Sequence, residues 1–169
     1  MKTTVIAMAL TVAWMFGMPT AWASDEKDHA ELAKALKDAK IPLQRGLAAS
    51  AKEGKPISAK YEVEDGKLQL SVYTMKGDKF SEVIVDHKTG KVAKTEAITS
   101  GDDLAAAKSQ SEAMAKAKRS LDAAASAAVK ENKGFRVVSV MPALKDGHPV
   151  ADVTLVKGEE WKTASEKLE

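Results

Sequence analysis

Three histidines, His29, His87 and His148, are the side chains best suited to proton transfer or metal ligation near neutral pH. They lie far apart in the chain, without the short spacing that metal ligands usually show, and no His-Glu-x-x-His run occurs. They read as surface histidines. Cysteine is absent, which removes thiolate nucleophiles and thiolate metal sites, and neither a Gly-x-Ser-x-Gly elbow nor a phosphate-binding glycine loop is present. Of the seven methionines, Met1, Met8, Met15 and Met18 fall in the first 18 residues and Met75, Met114 and Met141 are scattered, a pattern of packing and not of copper ligation. The carboxylates occur singly or at helix starts, so no acid–base pair is legible. The expectation is a chain without catalytic residues, cofactor or metal. Its candidate contacts with a partner are two aromatic anchors, Tyr73 and Trp161.

Those residues must be positioned by whatever follows the N-terminal leader. Lys2, the apolar run Val5 to Phe16, Pro19 and the small-x-small triplet Ala21-Trp22-Ala23 have the layout of a secretory signal peptide, with cleavage expected between Ala23 and Ser24. A run of 12 apolar residues is too short to span a bilayer, so no stable membrane insertion is expected after processing. The exported chain would work in a periplasm or outside the cell. With no disulfides available there, its fold has to rest on burial and backbone pairing. Lysines and acids alternate, with 26 basic against 24 acidic residues, so neither a nucleic-acid face nor a polybasic membrane patch is predicted.

Behind the leader, apolar residues at Leu32, Ala35, Leu36 and Ala39 recur with helical spacing. Pro42 starts a second helix carrying Leu43, Leu47 and Ala51 on one side, up to Gly54. The period then drops to two. Ile57, Ala59, Tyr61 and Val63 alternate with polar residues as in a strand with one wet face, and Asp65-Gly66 supplies the tight turn into a return strand bearing Leu68, Leu70 and Val72. Turns at Gly77 and at Asp86, Thr89 and Gly90 extend this into a meander. Ser100 is a helix start whose hydroxyl is expected to cap the free N–H groups, with the acids Asp102 and Asp103 over the first turn. Alanine fills eleven of the 26 positions from Leu104 to Val129, which predicts one long helix, with a kink near Ser120 as a possible interruption.

The punctuation then repeats. Gly66 and Gly147, Gly77 and Gly158, and Phe80 and Trp161 are each 81 positions apart, while Leu43, Leu47 and Ala51 return as Leu121, Ala125 and Val129 after 78. A duplicated helix-plus-meander unit accounts for both shifts. The predicted class is therefore α+β, with two tandem units, each a helix packed on an antiparallel β-meander, joined by a long Ala-rich helix. The segments are 1–23 signal peptide, 24–99 first unit, and 100–169 second unit, truncated before its last strand. Asp65, Gly66, Asp86, Thr89, Gly90, Asp146 and Gly147 are read as structural turn residues, Asp bonding backbone N–H groups and Gly accepting positive φ.

The stretch from Ile41 to Val92, with its Ile-x-Leu helix start and a closing turn through Val85, Asp86, Thr89, Gly90 and Val92, resembles the PepSY domain. Leu121 to Trp161 resembles it only as a degraded copy. The resemblance implies a small α+β module of metallopeptidase propeptides and bacterial envelope proteins, for which peptidase inhibition or regulation has been suggested. It brings no catalytic residue. The function expected is an exported, non-enzymatic protein-binding module whose partner is an envelope or secreted protein, such as a peptidase. The alternative is a periplasmic carrier of a small ligand or metal, held between the two units.

Overall fold

A computed structural model describes residues 21–169; most of the expected signal peptide lies outside the described residues, and Ala23 and Ser24 fall in the first turn of a helix. The elements in order are α1 (Ala21–Ala35), a short 3-10 turn (Leu36–Asp38), α2 (Leu43–Ser50), β1 (Lys55–Glu64), β2 (Lys67–Lys76), β3 (Lys79–Val85), β4 (Val92–Ile98), α3 (Gly101–Lys116), α4 (Leu121–Glu131), β5 (Arg136–Lys145), β6 (His148–Lys157) and β7 (Glu160–Lys167). Helices and one antiparallel sheet make the class α+β.

The two meanders are not separate sheets. They join edge to edge, β1 against β5 through Ala59↔Val140 and Lys60↔Ser139, into a seven-stranded sheet of order β4-β3-β2-β1-β5-β6-β7. Asp65 and Asp146 adopt φ of 49° and 52°, each followed by a glycine at 71° or 82°, so the two Asp-Gly turns share one left-handed geometry. The strands they connect run in register from Glu64↔Lys67 and from Lys145↔His148.

On one side, α2 lies on β1 and β2, α4 lies on β5 and β6, and the two helices touch. Between helices and sheet sit Leu43, Leu47, Ile57, Ala59, Tyr61, Leu70, Val72, Leu121, Ala125, Val140, Val153 and Leu155, all buried. Pro42 stands as the extended N-cap residue of α2, one position before the first helical residue where it was expected, and Ser120 caps α4 by accepting the N–H of Ala123 at 3.1 Å.

Three expectations are corrected. The Ala-rich run is two helices: α3 ends at Lys116, Ala117 turns extended, and α4 begins at Leu121. Alanine propensity is overridden because the chain must change sides of the sheet here. The freed N–H groups of Lys118 and Arg119 donate to the carbonyl of the buried Leu168 at 2.6 and 3.0 Å. Second, the sheet has no wholly wet face. Sixteen residues of α3 at about 1.5 Å each cover about 24 Å, enough to cross five strand spacings of about 4.8 Å. That helix carries the chain from the β4 edge back to the middle, over Ser58, Ser71 and Tyr73, which are buried. Third, Ser100 stands at the N-terminus of α3 but its hydroxyl makes no capping bond.

Candidate functional site

The loop after β3 is built by one carboxylate. Asp86 Oδ1 accepts the backbone N–H of Lys88 at 2.9 Å, the N–H of Thr89 at 2.6 Å and the Thr89 hydroxyl at 3.0 Å. These bonds, the backbone ones foremost, hold its carboxyl below the usual range. Gly90 closes the turn with φ 73° and its N–H on the Asp86 carbonyl. A Cβ there would stand 3.1 Å from Arg45 Cγ, so glycine serves both the turn and the contact with α2. The carbonyl of His87 then accepts the N–H groups of Lys40 and Ile41 at 2.8 and 3.3 Å, tying this turn to the start of α2.

Tyr73 is not an open anchor. It is 8% exposed, and its hydroxyl donates to Asp103 Oδ1 of α3 at 2.6 Å. The expectation of an accessible ring fails because α3 occupies the face it projects from. Burial, the bond to Asp103 and the nearby carboxylates of Asp103, Glu82 and Glu62 push this phenol far above its ordinary value. Tyr61 is also raised, by burial, with the Arg136 guanidinium opposing. Both native values lie above the unfolded value of about 10, so the unfolded chain loses these protons first and stability, complete below about pH 10, falls as pH rises further. These are the chain's only two tyrosines. Absorbance at 295 nm should therefore stay flat through pH 10 and rise together with loss of the circular-dichroism signal. A phenolate appearing at pH 10 in a chain that is still folded would contradict the burial of both rings.

Trp161 is half-buried, and its ring stacks on His29 of α1 with centroids 4.2 Å apart and planes 13° from parallel. The two rings flank an open groove of about 790 Å³ between α1 and the β6–β7 turn, which Ala30, Ala33, Lys34, Lys37 and Glu159 also line. A smaller cleft of about 380 Å³ opens where the halves meet, bounded by Leu47 of α2, Lys55 of β1, Met114 of α3, and Arg119 and Leu121 at the α3–α4 break. The other histidines are not brought together with His29 into a site. His87 belongs to the turn described above, and His148 Nδ1 sits 2.6 Å from Glu169. Among the described residues no group of three or more His, Cys, Asp or Glu is arranged to hold a metal ion. No helix among them is long and apolar enough to cross a membrane.

Two structural residues were not singled out from the sequence. Arg136 at the start of β5 donates to the carbonyls of Leu36 at 2.9 Å and Ile41 at 2.8 Å, and its guanidinium lies 5.1 Å over the Tyr61 ring. Gly46 lets α2 approach β2 so closely that a Cβ would come within 2.5 Å of Leu70 Cδ2. A glycine inside a helical pattern was a usable signal for the second. Nothing marked the first.

Residues 31–96 match the PepSY family, the peptidase propeptide and YPEB domain. The match begins within α1 and ends in β4, so it takes in α2, the first three strands and the Asp86 turn. The stretch from Leu121 to Trp161 lies outside it. No curated protein matches the chain. A solved structure of a candidate lipoprotein from Clostridium difficile 630 is similar at 16% identity over 78% of this chain and 89% of that one, with a TM-score of 0.42. The match covers 66 of the 169 residues, and the family it points to is described as a peptidase propeptide domain.

Proposed function

We propose that the chain is an exported, non-enzymatic protein-binding module, formed by duplication of one PepSY-like unit, that regulates a peptidase of the cell envelope. The observation that carries this reading is the match of residues 31–96 to a peptidase-propeptide family. The common geometry of the Asp65-Gly66 and Asp146-Gly147 turns supports the duplication, with units 24–99 and 100–169 sharing one sheet. The leader of residues 1–23 supports export, with Ser24 as the mature N-terminus.

The groove beside Trp161 is the surface assigned to the partner, in place of Tyr73. A half-buried tryptophan at a groove wall offers a partner a large apolar contact, and such rings dominate binding energy at interfaces. Removing it should cost the complex about 1.4 kcal/mol or more, a tenfold or greater loss of affinity. The test is to express the tagged full chain, purify it from the envelope fraction, confirm Ser24 as first residue by mass spectrometry, and assay envelope peptidases with it. Slowed peptidase turnover, relieved in Trp161→Ala at unchanged melting temperature, is the expected result. A wild-type chain that neither slows nor binds any envelope peptidase overturns the reading.

A further inference from the structure

The β4 edge carries an order of residues that its own fold does not use. Among the described residues β4 ends the sheet, with β3 as its single strand neighbour, and every position from Val92 to Ala97 is exposed. Its sequence Val-Ala-Lys-Thr-Glu-Ala-Ile reads alike in both directions about Thr95, apart from the sign of the charges. That exception is what makes it self-complementary. Set antiparallel to itself about Thr95, the strand places Thr95 opposite Thr95, Lys94 opposite Glu96, and Ala93 opposite Ala97.

We propose that β4 pairs with β4 of a second copy of this chain, antiparallel about Thr95, so that two seven-stranded sheets become one. Outward-facing N–H and C=O groups recur every second residue on an edge strand, so a symmetric pair of identical strands must centre on a residue and not between two. Centring on Lys94 would oppose lysine to lysine, and centring on Glu96 would oppose glutamate to glutamate. Only Thr95 sets unlike charges across from each other, in pairs of the kind that contribute to sheet pairing. Lys94 and Glu96 already form an ion pair at 2.7 Å along the strand, with side chains 60% and 54% exposed. In the pair, each of the four charges has an opposite charge both beside it and across from it. Glu96 also gains what the single chain denies it, because its cross-strand neighbour on β3 is Glu82, a like charge. The register shift between Val92 and Lys94 limits the regular ladder, so the interface is short and falls in the weak, transient size class. A dissociation constant of roughly 10 µM to 1 mM is expected, rising several-fold in high salt as exposed charges are screened.

The experiment is sedimentation equilibrium of the full chain, as the cell processes it, up to about 1 mM. Wild type should dimerise. Lys94→Glu and Glu96→Lys should each weaken the dimer at least tenfold while melting as folded proteins. An equimolar mixture of these two variants should dimerise again, because each then offers the charge the other lacks, and the double variant K94E/E96K should recover it alone. Recovery on mixing separates pairing from any effect on the single chain's stability. A monomeric wild type, in which Lys94 and Glu96 merely guard the edge, overturns the proposal. A dimer whose strength is the same in all these variants does so too.

Discussion

Replacing Arg136 by leucine is expected to lower the stability of the chain by about 2–4 kcal/mol. The guanidinium reaches from the start of β5 to the segment between α1 and α2, where it bonds the carbonyls of Leu36 and Ile41. The Ile41 carbonyl also accepts from Tyr61 at 2.7 Å, so one half-buried knot ties the N-terminal helices to strands of both halves. A charged donor contributes about 1.5–3 kcal/mol per bond, and without it the Leu36 and Ile41 carbonyls keep only the Ala39 N–H and the Tyr61 hydroxyl. Lysine keeps the charge but loses the planar fork, so Arg136→Lys should recover less than half of the loss. The denaturant midpoint should fall while the slope of the transition stays the same. Amide exchange should quicken around residues 36–41 before it does in the strands. An Arg136→Leu chain with an unchanged midpoint would show that the knot contributes nothing.

The second large effect is at Gly46. In an exposed helix, Gly→Ala gains about 1 kcal/mol from propensity alone. Here the added carbon would lie 2.5 Å from Leu70 Cδ2 and 3.0 Å from Leu70 Cγ, and Leu70 is fully buried, so it has no open space to enter. Overpacking of a filled core costs about 1–3 kcal/mol, which outweighs the propensity gain. Gly46→Ala should therefore destabilise by up to about 2 kcal/mol, and Gly46→Val, larger and β-branched, by about 3 kcal/mol or more. Pairing Gly46→Ala with Leu70→Val should cost less than the sum of the two single changes, since the smaller residue frees the volume the new methyl needs. A stabilised Gly46→Ala chain would mean that α2 stands further from the sheet than its contacts indicate.

Much of the local structure could be read from residue order because it depends on neighbours in the chain. Asp65-Gly66 and Asp146-Gly147 make their turns through their own φ preferences. Asp86 folds its loop by bonding residues two and three positions ahead. The alternation from Ile57 to Val63 identifies a strand, and the spacing of Leu43 and Leu47 a helix face. The candidate surface was legible by half. Trp161 does stand at a groove, but the partner ring His29 lies 132 positions earlier in the chain, and no local pattern links them. Tyr73 failed because alternation tells which side of a strand a residue faces and not what covers that side.

The sequence by itself determined the helices and strands, the two matched hairpins and the absence of thiol chemistry, since each depends on residue type or on interactions a few residues long. Tertiary structure alone decided that two meanders fuse through β1 and β5, that α3 crosses the face left open to Tyr73, and that the Ala-rich run breaks at Ala117–Ser120. Those choices cover one edge of each meander and the face bearing Tyr73, a balance of burial struck between segments far apart in the chain. That balance is set by where the chain must travel in space, which residue order within any one segment does not encode.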